Sequence, residues 1–143
     1  MSVTRILLLL VISTSLVFPI HLQAQNRRTS ATRIRFNRGE LSATVAGRLS
    51  SRHLEQSFLV GARAGQELYI KAKAQSDDGL DFVTVLISDP SGKPIGANDG
   101  SDLRVTLKHT GDYRIVVSPP GSFYRQKIKG YKELRFSLFV KIG

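Results

Sequence analysis

An all-β fold, a single antiparallel β-sandwich of about eight short strands, is what this sequence predicts. Three observations carry it. Apolar residues recur at every second position in short runs, which places one face of each run on a core and the other in solvent. Clusters of Gly, Asn, Asp and Pro separate the runs at the places where tight turns need them. No window holds a sustained apolar stripe with the 3.6-residue period of a helix, so a long helix is not expected.

The N-terminus reads as an export leader. Arg5 is a short cationic start, Ile6 to Ile20 is an apolar run, and Ala24 is a small residue before a cut, giving a signal peptide over 1–24. The run falls short of the about 20 apolar residues that span a bilayer, so no membrane span is expected. Residues 25–31 (QNRRTSA) are polar and aperiodic and read as a flexible lead-in. The remainder, 32–143, fits one domain with its own core. The chain has no cysteine, so hydrophobic packing alone must hold an exported domain, and a lipid-modified N-terminal cysteine is excluded.

Within that domain Ile34 and Phe36 share a face, as do Phe58, Val60 and Ala62. Leu68, Ile70, Ala72 and Ala74 alternate with Tyr69, Lys71 and Lys73. FVTVLI, residues 82–87, is apolar on both sides except for Thr84, and reads as a central strand covered on both faces or as the strand nearest a neighbouring segment. Leu103, Val105 and Leu107, then Tyr113, Ile115 and Val117, repeat the alternation. The last run is the clearest: Leu134, Phe136, Leu138, Val140 and Ile142 against Glu133, Arg135, Ser137, Phe139 and Lys141. These read as half-buried antiparallel strands. Tyr113, which opens its strand after a Gly-Asp corner, reads as the anchor of a tyrosine corner.

Charge is the strongest compositional signal. The chain carries 21 Lys+Arg against 11 Asp+Glu, a formal charge of +10, of which only Arg5 leaves with the leader. Such a field favours anionic partners or keeps the protein soluble. Arg33, Arg35, Arg63, Lys71, Lys73, Arg104, Lys108, Arg114, Arg135 and Lys141 all fall on the solvent side of their runs.

Catalytic chemistry is poorly represented. His53 and His109 are the only histidines after the leader and read as surface or turn residues, too few for a zinc site. No G-x-S-x-G elbow or comparable serine arrangement occurs. Asp77, Asp78, Asp81 and Asp89 lie in glycine-rich turns, where Asp bonds locally, rather than forming a carboxylate pair. Asp89, Asn98, Asp99 and Asp102 in DPSGKPIGANDGSD are the one set that could gather oxygen ligands for weak calcium binding at one end of the sandwich. The spacing does not match the calcium-loop pattern, and the turn reading is preferred. The expectation is a binding protein, not an enzyme, with no cofactor and no metal.

The segment PPGSFYRQKIKGY, Pro119 to Tyr131, mixes aromatics with cations where a plain turn needs neither. Phe123, Tyr124, Arg125 and Lys127 are therefore the candidate partner-binding residues, since aromatics and Arg are the usual anchors of interfaces. The alternative is a solvated basic hairpin with its aromatics folded back on the sandwich edge.

RIRFNRGELSATVAGRL, SFLVGARAGQELYIKAKA, LISDPSGKPIGANDG, HTGDYRIVVSPP and YKELRFSLFVKI together resemble the bacterial pre-peptidase C-terminal (PPC-like) β-sandwich. Within that group the arrangement is most similar to the periplasmic inhibitors of g-type lysozyme, from about Thr32 to the C-terminus. The most specific pieces, Ala62 to Gln66 and Thr110 to Tyr113, are structural. The resemblance implies a PPC-like, jelly-roll-like sandwich, periplasmic or secreted, that occupies another protein's cleft with loops. It implies that Arg125, with Tyr124, enters the acidic cleft of a lysozyme-like hydrolase. The long DPSGKPIGANDGSD connection looks more like the generic PPC pattern. A glycan- or cell-surface-binding PPC-like accessory module without inhibitory activity, its partner an anionic cell-wall glycan, is the competing reading, and a nucleic-acid partner is disfavoured by export and by the lack of a motif.

Overall fold

The computed structural model describes residues 30–75, 82–100, 102–121 and 133–143. The expected leader, Asp77, Asp78 and Asp81, and the stretch 122–132 lie outside the described residues. Among the described residues nine strands form two sheets: β1 (Thr32–Arg33), β2 (Ser42–Leu49), β3 (Gln56–Ala62), β4 (Glu67–Gln75), β5 (Thr84–Ser88), β6 (Pro94–Asp99), β7 (Leu103–Thr106), β8 (Gly111–Ser118) and β9 (Leu134–Ile142). One sheet has the order β1-β3-β8-β5-β6 and the other β2-β9-β4-β7. The chain changes sheet at every connection except the β5–β6 hairpin, so the loops collect at the two ends of the sandwich. Among the described residues no helix is long and apolar enough to cross a membrane.

The alternation read from the sequence becomes the core. Leu134, Phe136, Leu138, Val140 and Ile142 of β9 all point between the sheets and are buried, meeting Phe58, Val60, Ile115 and Val117 from the other side. Phe58 and Phe136 pack edge to face with centroids 6.1 Å apart, the orientation favoured by the ring quadrupoles. Tyr113 is fully buried; its hydroxyl donates to the His109 carbonyl at 2.6 Å and accepts from the His109 N–H at 3.1 Å. That is a tyrosine corner, which satisfies two backbone groups of the β7–β8 connection from inside the core.

Gly47 faces inward on β2, directly across from Phe136 of β9. A Cβ there would stand 2.2 Å from the Phe136 Cζ and 2.4 Å from the Gln56 Oε1. The ring is wedged against Phe58 and has little room to yield. Gly47→Ala is therefore expected to cost about 1–3 kcal/mol by overpacking, read as a lower urea midpoint at unchanged slope. A wild-type midpoint would show that the ring moves aside freely.

Three features differ from the reading of the sequence. First, β1 runs parallel to β3, pairing Thr32 with Phe58 and Arg33 with Leu59, so the sandwich is not antiparallel throughout. The reason is connectivity: β2 lies in the opposite sheet, so β1 and β3 are not hairpin partners. Second, the DPSGKPIGANDGSD connection contains a strand, β6, whose Pro, Gly and Asn conceal it; a proline is tolerated because β6 is a sheet edge. Third, β5 is flanked by β8 and β6, but its outer residues Thr84 and Leu86 are half-buried rather than covered.

Candidate functional site

The β8–β9 connection, which carries the candidate partner-binding residues, leaves the five-stranded sheet after Ser118 and enters the four-stranded sheet at Leu134. Phe123, Tyr124, Arg125 and Lys127 themselves lie outside the described residues. The ground on which the connection lands is described. Pairing of β2 with β9 sets Arg48 directly opposite Arg135 on the solvent face. Like charges opposite one another repel, and Glu133 mitigates this: it accepts a hydrogen bond from the Arg135 Nε at 2.9 Å and lies 3.9 Å from an Arg48 guanidinium nitrogen. The Arg135 hydrogen bond, with the charges of both arginines, holds the Glu133 carboxyl below its ordinary range. Lys73 and Gln75 of β4 complete the wall of a concavity of about 790 Å³. Two guanidinium groups and an ammonium thus border a hollow at the end of the sandwich where β9 begins, and the Glu133 carboxylate bonds one of the guanidinium groups from outside its lining.

The same sheet gathers more of the cations. Lys71, Lys73, Arg104, Arg135 and Lys141 share its outer face with Arg48. Arg33 and Arg114 belong to the five-stranded sheet, and Arg35, Arg63 and Lys108 lie toward the opposite end. Arg33 pairs in a fork with Asp112, with one contact at 2.9 Å, tying β1 to β8. Arg104 lies 4.4 Å over the Tyr69 ring and bonds Glu67 at 3.0 Å. Tyr69 meets Phe139 edge to face at 6.0 Å and donates its hydroxyl to Asp102. This bond is the largest influence raising the Tyr69 phenol and lowering the Asp102 carboxyl, with Lys71 at 3.4 Å adding to the latter. Because Arg104 covers the Tyr69 ring, the face is a charged surface and not an open aromatic platform. Sequence reading placed these residues on the solvent side but missed the Tyr69–Asp102–Lys71 cluster; the signal was an aromatic at an outward position, Tyr69, beside another, Phe139.

The four residues considered for calcium are not gathered. Asp89 sits in the β5–β6 turn, where one of its oxygens accepts from the Ser91 N–H at 2.9 Å, the Ser91 hydroxyl at 2.6 Å and the Lys93 N–H at 2.9 Å. The Ser91 hydroxyl is the first cause of its lowered pKa. Gly92, at a φ of 87°, closes this turn in the left-handed region. Asn98 and Asp99 lie at the far end of β6, where Asp99 accepts from the Thr84 hydroxyl at 2.6 Å, and Asp102 serves Tyr69 and Lys71. The turn chemistry of Asp89 and the length of β6 keep the set apart. Among the described residues no group of three or more His, Cys, Asp or Glu side chains could hold a metal ion.

No protein-family model matches the chain, and no curated protein matches it by sequence. Solved structures do share its fold. One is Aeromonas hydrophila PliG, described as a periplasmic inhibitor of g-type lysozyme: TM-score 0.59 at 21% identity, covering 80% of this chain and 96% of that one. Salmonella Typhimurium PliG, described in the same words, gives a TM-score of 0.57 at 20% identity, covering 79% and 97%. The pre-peptidase C-terminal domain of a Bacillus anthracis collagenase gives 0.52 at 15%, covering 79% and 98%. The PPC-like sandwich expected from the sequence is therefore the fold of this chain.

Proposed function

We propose that this protein is an exported inhibitor of g-type lysozyme, acting without catalysis by placing the basic β8–β9 connection in the enzyme's acidic cleft. The observation that carries the reading is the arrangement at one end of the sandwich: the connection bearing Phe123, Tyr124, Arg125 and Lys127 enters β9 beside the Arg48–Arg135 pair and Lys73. Likeness in fold to two periplasmic inhibitors of g-type lysozyme supports it. A leader over 1–24 would deliver it to the periplasm or beyond. The test is inhibition of purified g-type lysozyme by micromolar protein, with binding to insoluble peptidoglycan measured in parallel. Binding to peptidoglycan without inhibition replaces this reading with that of an accessory module for anionic cell-wall glycan.

Charge should act mainly on encounter. Raising salt shortens the Debye length from about 10 Å at 0.1 M to about 3 Å at 1 M. The association rate with the lysozyme is therefore expected to fall as salt rises, with the dissociation rate changing little. An association rate independent of salt leaves the cationic face with a role in solubility only.

A further inference from the structure

Among the described residues the two sheets have four edges, and three carry devices that discourage pairing with another strand. β1 is two residues long, β7 is four, and β6 contains Pro94 and a register irregularity opposite Ile87 and Ser88. β2 has none of these. It is eight residues long, has no proline, pairs with β9 in unbroken register, and carries one charge, Arg48, near its end. The direction of its free groups follows from the bonds it makes. The Leu41 carbonyl bonds Ile142 of β9, so odd-numbered residues face β9. The Arg48 N–H is taken by the Gln56 side chain at 3.1 Å and the Ser50 N–H by the His53 carbonyl, so even-numbered residues face away. Between these capped ends the backbone groups of Ser42, Thr44 and Ala46 have no hydrogen-bond partner on that side among the described residues.

We propose that β2 pairs antiparallel with β2 of a second copy of this chain, about a two-fold axis at Thr44, joining the four-stranded sheets of both copies into one continuous sheet. This register alone uses all three open residues: Thr44 faces Thr44, and Ser42 faces Ala46 in both directions, each facing pair exchanging two hydrogen bonds. It has two further consequences that favour self-pairing over an unrelated strand. Glu40, exposed just before β2, comes opposite Arg48 of the other copy, so opposite charges meet at both ends of the ladder. Ala43 and Val45, half-buried at the sheet margin and packed against the core, face Val45 and Ala43 of the other copy and gain cover there. The contact is one strand wide, smaller than the about 1,200–2,000 Å² of a stable complex, so association is weak and concentration-dependent.

Sedimentation equilibrium of the purified protein tests this. The expected result is a monomer at about 1 μM and a mean mass approaching the dimer by about 1 mM. Thr44→Lys sets two ammonium groups against each other on the axis, at an exposed position that leaves the monomer's melting temperature unchanged, and is expected to keep the protein monomeric throughout. Because the chain lacks cysteine, Thr44→Cys gives an independent readout: it should oxidise to a disulfide-linked dimer at least about tenfold faster than Thr106→Cys on the β7 edge, since the axis brings the two Thr44 positions into bridging range. A wild-type monomer at about 1 mM, a dimer unaffected by Thr44→Lys, or equal oxidation at the two positions overturns the proposal. So does a protein that stays monomeric and instead binds an extended peptide along β2.

Discussion

Arg125→Ala is expected to abolish inhibition of g-type lysozyme at concentrations where Lys129→Ala, which removes another cation of the same 119–131 segment expected at the rim of the cleft, still inhibits, with both variants melting as the wild type does. The difference comes from where a charge ends up in the complex. A guanidinium drawn into a cleft lined by carboxylates forms charge-assisted and bidentate bonds in a place from which water is excluded. Removing it leaves the partner's carboxylate desolvated and unpaired, which typically costs about 2–5 kcal/mol of binding. A cation at the rim stays hydrated, and its loss changes association rate more than affinity. An inhibition constant measured for each variant against one lysozyme checks this. Equal losses for the two variants would mean that the connection contributes a diffuse positive field and no anchoring residue. Arg125→Lys sharpens the test, since an ammonium keeps the charge but not the fork, and partial activity is expected of it.

Phe58→Ala is expected to remove about 3–5 kcal/mol of folding stability, a large share of the about 5–15 kcal/mol typical of a single domain. Phe58 is 1% exposed and lies on β3 between the sheets, where it meets Phe136 edge to face. Truncation removes the transfer free energy of the ring and leaves a cavity that β3, held by β1 and β8 on its two sides, cannot close. With no disulfide to restrain the unfolded chain, the stability that this truncation reduces rests on the packed core. Phe139→Ala is the matched control: the same deletion on the outer face, where the ring is half-exposed and touches Tyr69 from the side. Urea midpoints should separate the two variants widely. Similar midpoints would show that the interior is loosely packed and that Phe58 is not part of its frame.

The candidate site was only partly legible in the sequence. The mixture of Phe123, Tyr124, Arg125 and Lys127 is visible as composition, because a plain turn has no use for aromatics. Arg48 was not visible in that role. It lies far from Arg135 along the chain, and only the pairing of β2 with β9 sets the two guanidinium groups face to face across Glu133. The oxygen-rich DPSGKPIGANDGSD segment misled in the opposite sense: proximity along the chain implied a cluster, but β6 is long enough to carry Asp99 away from Asp89.

What the sequence determined by itself was the direction of each side chain within a strand. Period-two alternation is a local property of extended backbone, so Leu134 to Ile142 could be sorted into buried and exposed residues without knowing any neighbour. The tyrosine corner is local in the same way, since Tyr113 and His109 are four residues apart. Tertiary structure alone decided which strands share a sheet, that β1 is parallel, and that β2 lies at a sheet edge among the described residues. It also decided that Lys71, Lys73, Arg104, Arg135 and Lys141 converge on one face with Arg48. The physical reason is that strand pairing satisfies backbone groups identical in every residue. Partner choice is therefore set by the burial of the whole core and by the sheet crossings of the chain, and short runs of sequence encode neither.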